Sequence, residues 1–240
     1  MNFYNKRNTE VVFQYFLIDA KRQESIIQFE RQKGLLWVIN HYRLQVLVAL
    51  VFNALYQLSG INIIVLYSSL IYTRLQITKI YLANLLFGMS QMFGAVFTYV
   101  MIYFFSKKVI ISLGFFFCSI GILVGVIAIS ETVKWLFLIG SYIYIFSFAF
   151  SIGPLIVVYL TYFIPPRLLS YFSAIQWFLA AVIAFFSIDL LTDVDIILIS
   201  EILIAFNMFG LIFFAGYAIN TKGKTFDDVK KEFEQKKFLE

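Results

Sequence analysis

Polar residues interrupt the apolar stretch YQLSGINIIVLYSSLIY at residues 56–72, and they are the groups of this chain best suited to binding chemistry. Gln57 and Asn62 carry amides that donate and accept hydrogen bonds, so they can bind the hydroxyl groups of a polar ligand. They can equally bond a neighbouring helix, at about 0.6–2 kcal/mol per contact. Amides among apolar residues need partners, and both interpretations supply them.

Further polar side chains lie inside apolar runs: Gln91, the neighbours Gln176 and Trp177, and the acid Glu201. An acid within a membrane span is a functional candidate by default. Glu201 stands near a predicted span end, where snorkelling or pairing with a neighbour is the simpler interpretation.

The sequence has no spacing typical of a catalytic or metal site. Its one cysteine, Cys118, lies in an apolar run, and its one histidine, His41, lies at a predicted membrane edge. Metal-ligand clusters, nucleophile–base pairs and phosphate-binding glycine loops are missing from the sequence. The sequence therefore predicts no enzyme, no metal and no cofactor.

The composition places the chain in a membrane. Hydrophobic residues make up 61% of it and charged residues 14%, and runs of about 20 apolar residues can cross a hydrocarbon core of about 30 Å. We predict an all-α membrane protein with a six-helix transmembrane domain at 43–218, preceded by an amphipathic helical segment at 1–42 and followed by a charged helical tail at 219–240. The predicted spans are 43–73, 80–105, 109–129, 135–163, 168–188 and 196–218.

Two of these spans are expected to be interrupted. The first is longer than a bilayer requires and has Gly60 and its polar neighbours midway. The fourth contains Gly153 and Pro154, and proline removes a helix hydrogen bond and kinks the helix.

The basic residues predict an orientation. Of 19 lysines and arginines, the predicted topology places 16 on the side of the termini and three, Arg74, Lys79 and Lys134, on the other. The positive-inside rule then places both termini in the cytoplasm, or in the matrix of a mitochondrion. This distribution favours anionic lipid at the basic side over nucleic acid as a partner.

Five motifs together resemble a known family. They are QLSGIN at 57–62, Gly153-Pro154, Pro166-Arg167, Gln176-Trp177 and TKGKTFDD at 221–228. In this order they are similar to the C-terminal half of the glucose-transporter-like sugar porters of the major facilitator superfamily, over about residues 33–235. The resemblance implies six helices built as two inverted three-helix repeats, which is half of a major facilitator fold.

The resemblance also implies a partly retained sugar site. Gln57 and Asn62 match positions that bind sugar hydroxyls, and Gln91 stands near a third, where the family has asparagine. Three other site positions differ, with Tyr56 in place of a glutamine and Ala149 and Val157 in place of a glutamate and a tryptophan. Any sugar ligand is thus expected to be residual.

The family's cytoplasmic gating network is similarly reduced. Its basic members persist as Lys107, Lys108 and Arg167, and as Lys222 before Gly223. Its acids are replaced at three places, in YFFSKK at 103–108, TYF at 161–163 and INTKG at 219–223. Without the acids, the contacts that distinguish two access states are expected to be lost.

Two hypotheses follow. The first is a transporter-derived accessory subunit that binds other membrane protein subunits, with a respiratory or ATP-synthase assembly of the mitochondrial inner membrane as the suggested setting. The alternative is a half-size hexose transporter that works as a dimer or with a separately encoded N-terminal half. A chain truncated from a longer transporter is a third interpretation.

Overall fold

The structure is a computed structural model that describes residues 32–193 and 195–222, together with 24, 28, 224, 228, 229, 231 and 232. Side chains at 188–193 are outside the description. Most of the predicted segment 1–42 and of the predicted tail 219–240 also lies outside the described residues.

Six helical stretches in the described part are long and apolar enough to cross a membrane, and a short helix, Leu35–His41, precedes them. Their ends lie within a few residues of the predicted ones. These spans, first to sixth, are Arg43–Arg74, Ile80–Phe104, Lys107–Ser130, Lys134–Leu160, Pro166–Ser187 and Ile196–Tyr217. The helix of the fifth span continues to Asp193.

The first span is broken where the sequence predicts it. One helix runs over Arg43–Leu58 and a second over Ile61–Arg74. Gly60 joins them with φ +96°, in the left-handed region that favours glycine. A Cβ at this position would lie 2.7 Å from a methyl carbon of Leu203, so the sixth span also closes on the break.

The fourth span is broken at Ser151, between helices Lys134–Phe150 and Ile152–Leu160. The cause is Pro154, which has no N–H for the carbonyl of Phe150, four residues earlier, and whose ring would clash with it. Thr98 of the second span takes over as donor, with its hydroxyl 3.0 Å from that carbonyl and 3.3 Å from the carbonyl of Ala149.

Glycines let the fourth span pack closely against two neighbours. A Cβ on Gly140 would lie 2.7 Å from the carbonyl oxygen of Gly121 and 2.9 Å from the backbone nitrogen of Gly125, both in the third span. A Cβ on Gly94 of the second span would lie 2.6 Å from the carbonyl oxygen of Phe146. Small residues at such crossings let backbones approach, which is how membrane helices gain packing energy.

Aromatic rings fill the core between the first, fourth and sixth spans. Phe52 stacks on Phe214 with ring centroids 4.4 Å apart, and Tyr159 packs against both. The Tyr159 hydroxyl donates to the carbonyl of Ile219 at 2.8 Å and accepts from its N–H at 2.7 Å. The chain leaving the sixth span is thereby fixed to the fourth.

We expect Gly140→Ala to lower the free energy of unfolding by about 1–3 kcal/mol, because the added methyl forces two backbones apart. Gly88→Ala is the matched control, since a Cβ on this second-span glycine would meet nothing within 4 Å. The free energies can be measured by sodium dodecyl sulfate titration of the protein in mild detergent. Equal unfolding curves for the two variants would contradict the close crossing.

Candidate functional site

The amides of the first span lie on either side of its break. Gln57 is in the last turn of the first helix and is buried, whereas Asn62 is in the first turn of the second helix and is half-buried. Residues 58–61 connect them. In a regular helix the side chains of Gln57 and Asn62 would point in different directions, and the break brings them together.

These two amides bond to each other and to the fifth span. Asn62 Nδ2 donates to Gln57 Oε1. Gln57 Nε2 in turn donates to the backbone carbonyl of Gln176 at 2.6 Å. One turn beyond Asn62, the Tyr67 hydroxyl donates to the carbonyl of Ala184 at 2.7 Å. Asn62 and Gln57 therefore form a chain of hydrogen bonds that ends on fifth-span backbone, and Tyr67 forms a separate bond to the same span.

The carbonyl of Ser59, freed by the break, is held by two residues that the sequence analysis missed. The Tyr144 hydroxyl donates to it at 3.1 Å and Asn207 Nδ2 donates at 3.0 Å. Ser59, Tyr144 and Asn207 are each at most 1% exposed. Each of the two donors is one of several polar groups in its span, and without the fold neither could be assigned to this carbonyl.

The side chains of the remaining sugar-site positions are not members of this chain of bonds. Gln91 is exposed on the second span, and Trp177 is exposed on the fifth, at 76%. The Gln176 side chain is half-buried. Tyr56, at the position of the family's first glutamine, packs edge-on against Phe148 of the fourth span at 5.3 Å between ring centroids. Gln57, Asn62 and the backbone of Gln176 are thus brought together, whereas the side chains of Gln91 and Trp177 are exposed.

Two basic residues near the predicted cytoplasmic side, Lys107 and Lys222, bond neutral oxygen atoms, whereas Lys224 pairs with the Glu232 carboxylate. Lys107 Nζ donates to the Tyr162 hydroxyl at 3.0 Å and lies 4.5 Å from the centroid of its ring. Lys222 Nζ donates to the carbonyls of Tyr103 and Phe104 at 3.4 and 3.2 Å, at the C-terminal end of the second span, where a cation is favoured.

Arg167 and the other motif positions lie in several parts of the fold. Arg167 Nη1 donates to the carbonyl of Lys33, which ties the start of the fifth span to the segment before the first. Lys108 is half-buried in the first turn of the third span. Gly153 and Pro154 form the first turn after the fourth-span break. Gly223 lies outside the described residues, and Glu201 is exposed on the sixth span.

The Ser59 carbonyl gives a double-mutant prediction. Tyr144→Phe and Asn207→Ala each remove one of its two donors, and together they leave a buried carbonyl without a partner. We expect the double variant to lose about 1 kcal/mol more free energy of unfolding than the sum of the single variants.

The matched control is Tyr72→Phe, which removes a tyrosine hydroxyl that bonds Ser141 instead, 3.1 Å away. Combined with Asn207→Ala, it should give additive losses. Additive losses for Tyr144→Phe as well would contradict a shared acceptor.

Comparison with solved structures shows the same fold. The chain is similar to a proton:xylose symporter, XylE, bound to 6-bromo-6-deoxy-D-glucose, with TM-score 0.69 and 20% identity over 78% of this chain and 42% of that one. A double-tryptophan variant of XylE gives TM-score 0.78 and 16% identity over 93% and 49%. A partially occluded, inward-open xylose transporter XylE from E. coli gives 0.63 and 19% over 78% and 42%.

The chain thus spans less than half the length of these structures, and the predicted half of a major facilitator fold is confirmed. None of the curated proteins compared with it matches. The family model for sugar (and other) transporters matches residues 7–233, nearly the whole chain. On this match, with the broken first span and the matching fold, the chain belongs to the sugar transporter family of the major facilitator superfamily.

Proposed function

We propose that this chain is a structural subunit of a larger membrane protein complex, derived from a sugar transporter and without transport activity of its own. The observation that carries the proposal is the use of its best-matched sugar-binding amides. Gln57 and Asn62 bond to each other and to fifth-span backbone, so their hydrogen-bonding capacity holds helices together.

The count of donors and acceptors supports this role. Both ends of the Gln57 amide are engaged, the nitrogen as donor and the oxygen as acceptor. Each of these atoms can still form one more hydrogen bond. A hydroxyl ligand that took the place of Asn62 or of the Gln176 carbonyl would, however, lose a bond that offsets much of what the new one contributes. The side chains of Gln91 and Trp177 are exposed and are not among the partners of these bonds.

The contacts of the basic residues point the same way. An alternating-access mechanism needs contacts that differ in free energy between two states. Bonds from a charged donor to a carboxylate are stronger than those to neutral oxygen. Because Lys107 and Lys222 bond a phenol and two carbonyls, opening these contacts changes the free energy less than opening ion pairs would.

Exposed aromatic side chains on two spans fit association with other membrane subunits. On the second and fifth spans Tyr99, Trp177 and Phe178 are 81%, 76% and 68% exposed. The proposed setting is a respiratory or ATP-synthase assembly of the mitochondrial inner membrane, with both termini in the matrix. The excess of lysine and arginine near the termini supports that orientation.

One observation favours the alternative, a half-size hexose carrier that works as a dimer or with a separate N-terminal half. Asn53 lies one turn before Gln57 on the same helix face and is 1% exposed. Neither its amide nitrogen nor its amide oxygen has a hydrogen-bond partner. A buried amide in this state is a place where a polar ligand would restore lost bonds.

The two functions predict opposite results for Asn53→Leu. In a structural subunit, replacing an unsatisfied buried amide by an apolar group of similar size leaves the free energy of unfolding unchanged or raises it. Gentle purification of this variant should then recover the same stoichiometric membrane subunits as the wild type, identified by mass spectrometry. Liposomes containing the purified chain should take up no more labelled hexose than empty ones.

Saturable hexose uptake that is lost in Asn53→Leu and Asn62→Ala would contradict the structural proposal. Asn84→Ala is the control, because this amide bonds Ser69 at 2.8 Å between the first and second spans and lies outside the site. Uptake lost equally in the control would show a folding defect, which the unfolding curves of the same variants would reveal. Purification without any stoichiometric subunit would also count against the structural role.

A further inference from the structure

A long crevice runs along the outside of the fourth span, away from the amides of the first. Its upper part, at the start of the second and fourth spans, has a volume of 330 Å³ and lies between them. Its lower part, toward the end of the second span, has a volume of 510 Å³ and is also bordered by the third span. Tyr142 lines both parts, and its hydroxyl donates to the carbonyl of Ala83 on the second span at 3.2 Å. The two parts therefore adjoin at this side chain and are together called the Tyr142 crevice. Each volume is of the size of small-molecule sites, about 300–1,000 Å³.

Apolar side chains line most of the crevice, which is open at the side. Second-span residues line it from one end of the helix to the other: Leu82, Leu86, Ser90, Phe97 and Met101. Nineteen residues of helix at about 1.5 Å each extend about 28 Å, close to the thickness of a hydrocarbon core. The floor of the lower part is aromatic, with Phe146 and Phe150 in contact with Phe97 at 5.7 and 5.9 Å between centroids.

The upper end of the crevice is basic. Lys79, Lys134 and Trp135 line it, and all three are exposed. Lys134 Nζ donates to the carbonyl of Gln76 at 3.1 Å, which holds that ammonium group at the rim. Glu131 belongs to the adjoining loop but does not line the crevice. Only three basic residues of the chain, Arg74 being the third, are predicted on this side of the membrane, and two of them meet here.

We propose that the Tyr142 crevice binds an anionic phospholipid, with its phosphate at Lys79 and Lys134 and an acyl chain along the second span. A groove of membrane length that is lined mainly by apolar side chains fits an acyl chain. Two ammonium groups at the rim match a negative headgroup. Trp135 lies at the level where tryptophan anchors to the headgroup region.

Trp135 gives a direct readout, because brominated acyl chains quench tryptophan fluorescence on contact. The chain has two other tryptophans, Trp37 and Trp177, so a Trp37→Phe/Trp177→Phe background reports the crevice alone. This protein is placed in phosphatidylcholine nanodiscs with equal small fractions of either brominated phosphatidylglycerol or brominated phosphatidylcholine. We expect the anionic lipid to occupy the crevice about five-fold more favourably per lysine engaged.

Lys79→Gln/Lys134→Gln should reduce the preference for phosphatidylglycerol to that for phosphatidylcholine, and Lys79→Arg/Lys134→Arg should retain it. Arg74→Gln removes the remaining basic group of the same side and should leave the preference unchanged. Equal quenching by the two lipids in the starting protein would overturn the proposal. So would a preference that survives the double glutamine variant, or one that Arg74→Gln removes to the same extent as Lys79→Gln.

Discussion

In a hydrocarbon solvent every backbone carbonyl needs a partner within the protein, and this chain breaks two of its membrane helices. At the first break the carbonyl of Ser59 accepts from Tyr144 and Asn207, which join the first span to the fourth and sixth. At the second break the carbonyl of Phe150 accepts from Thr98 of the second span. Each break thus leaves a carbonyl without its helical N–H donor, and side chains of neighbouring spans donate to it instead. The arrangement of the first, second, fourth and sixth spans depends on these bonds.

Close packing of the fourth span follows from the same requirement. The Thr98 side chain is short, so its hydroxyl reaches the carbonyl of Phe150 only because the second and fourth spans lie close together, and Gly94 removes the side chain that would hold them apart. The outer face of the same span is left with the Tyr142 crevice. The interior of the bundle is therefore used for hydrogen bonds between helices, and its outer surface is shaped for lipid.

Much of the fold could be predicted from local patterns. Apolar length predicted the six spans, and Gly60 and Pro154 predicted the two breaks because their effects act within one turn of helix. The partners of Ser59 could not be predicted, since Tyr144 and Asn207 are 85 and 148 residues away. The exposure of Gln91 and Trp177 could equally not be predicted, because helix rotation is set by packing between spans.

In the proposed structural subunit, the transporter fold is kept although the transport cycle is not. Helix breaks in sugar transporters expose polar groups that a substrate can use, yet those groups must be satisfied when substrate is absent. Here Asn62 donates a hydrogen bond to Gln57, and Lys107 donates to the Tyr162 hydroxyl and not to a carboxylate. Such substitutions retain the bonds that stabilise one arrangement of helices while weakening those that distinguish two. We propose that a fold maintained in this way serves a complex as a rigid membrane element.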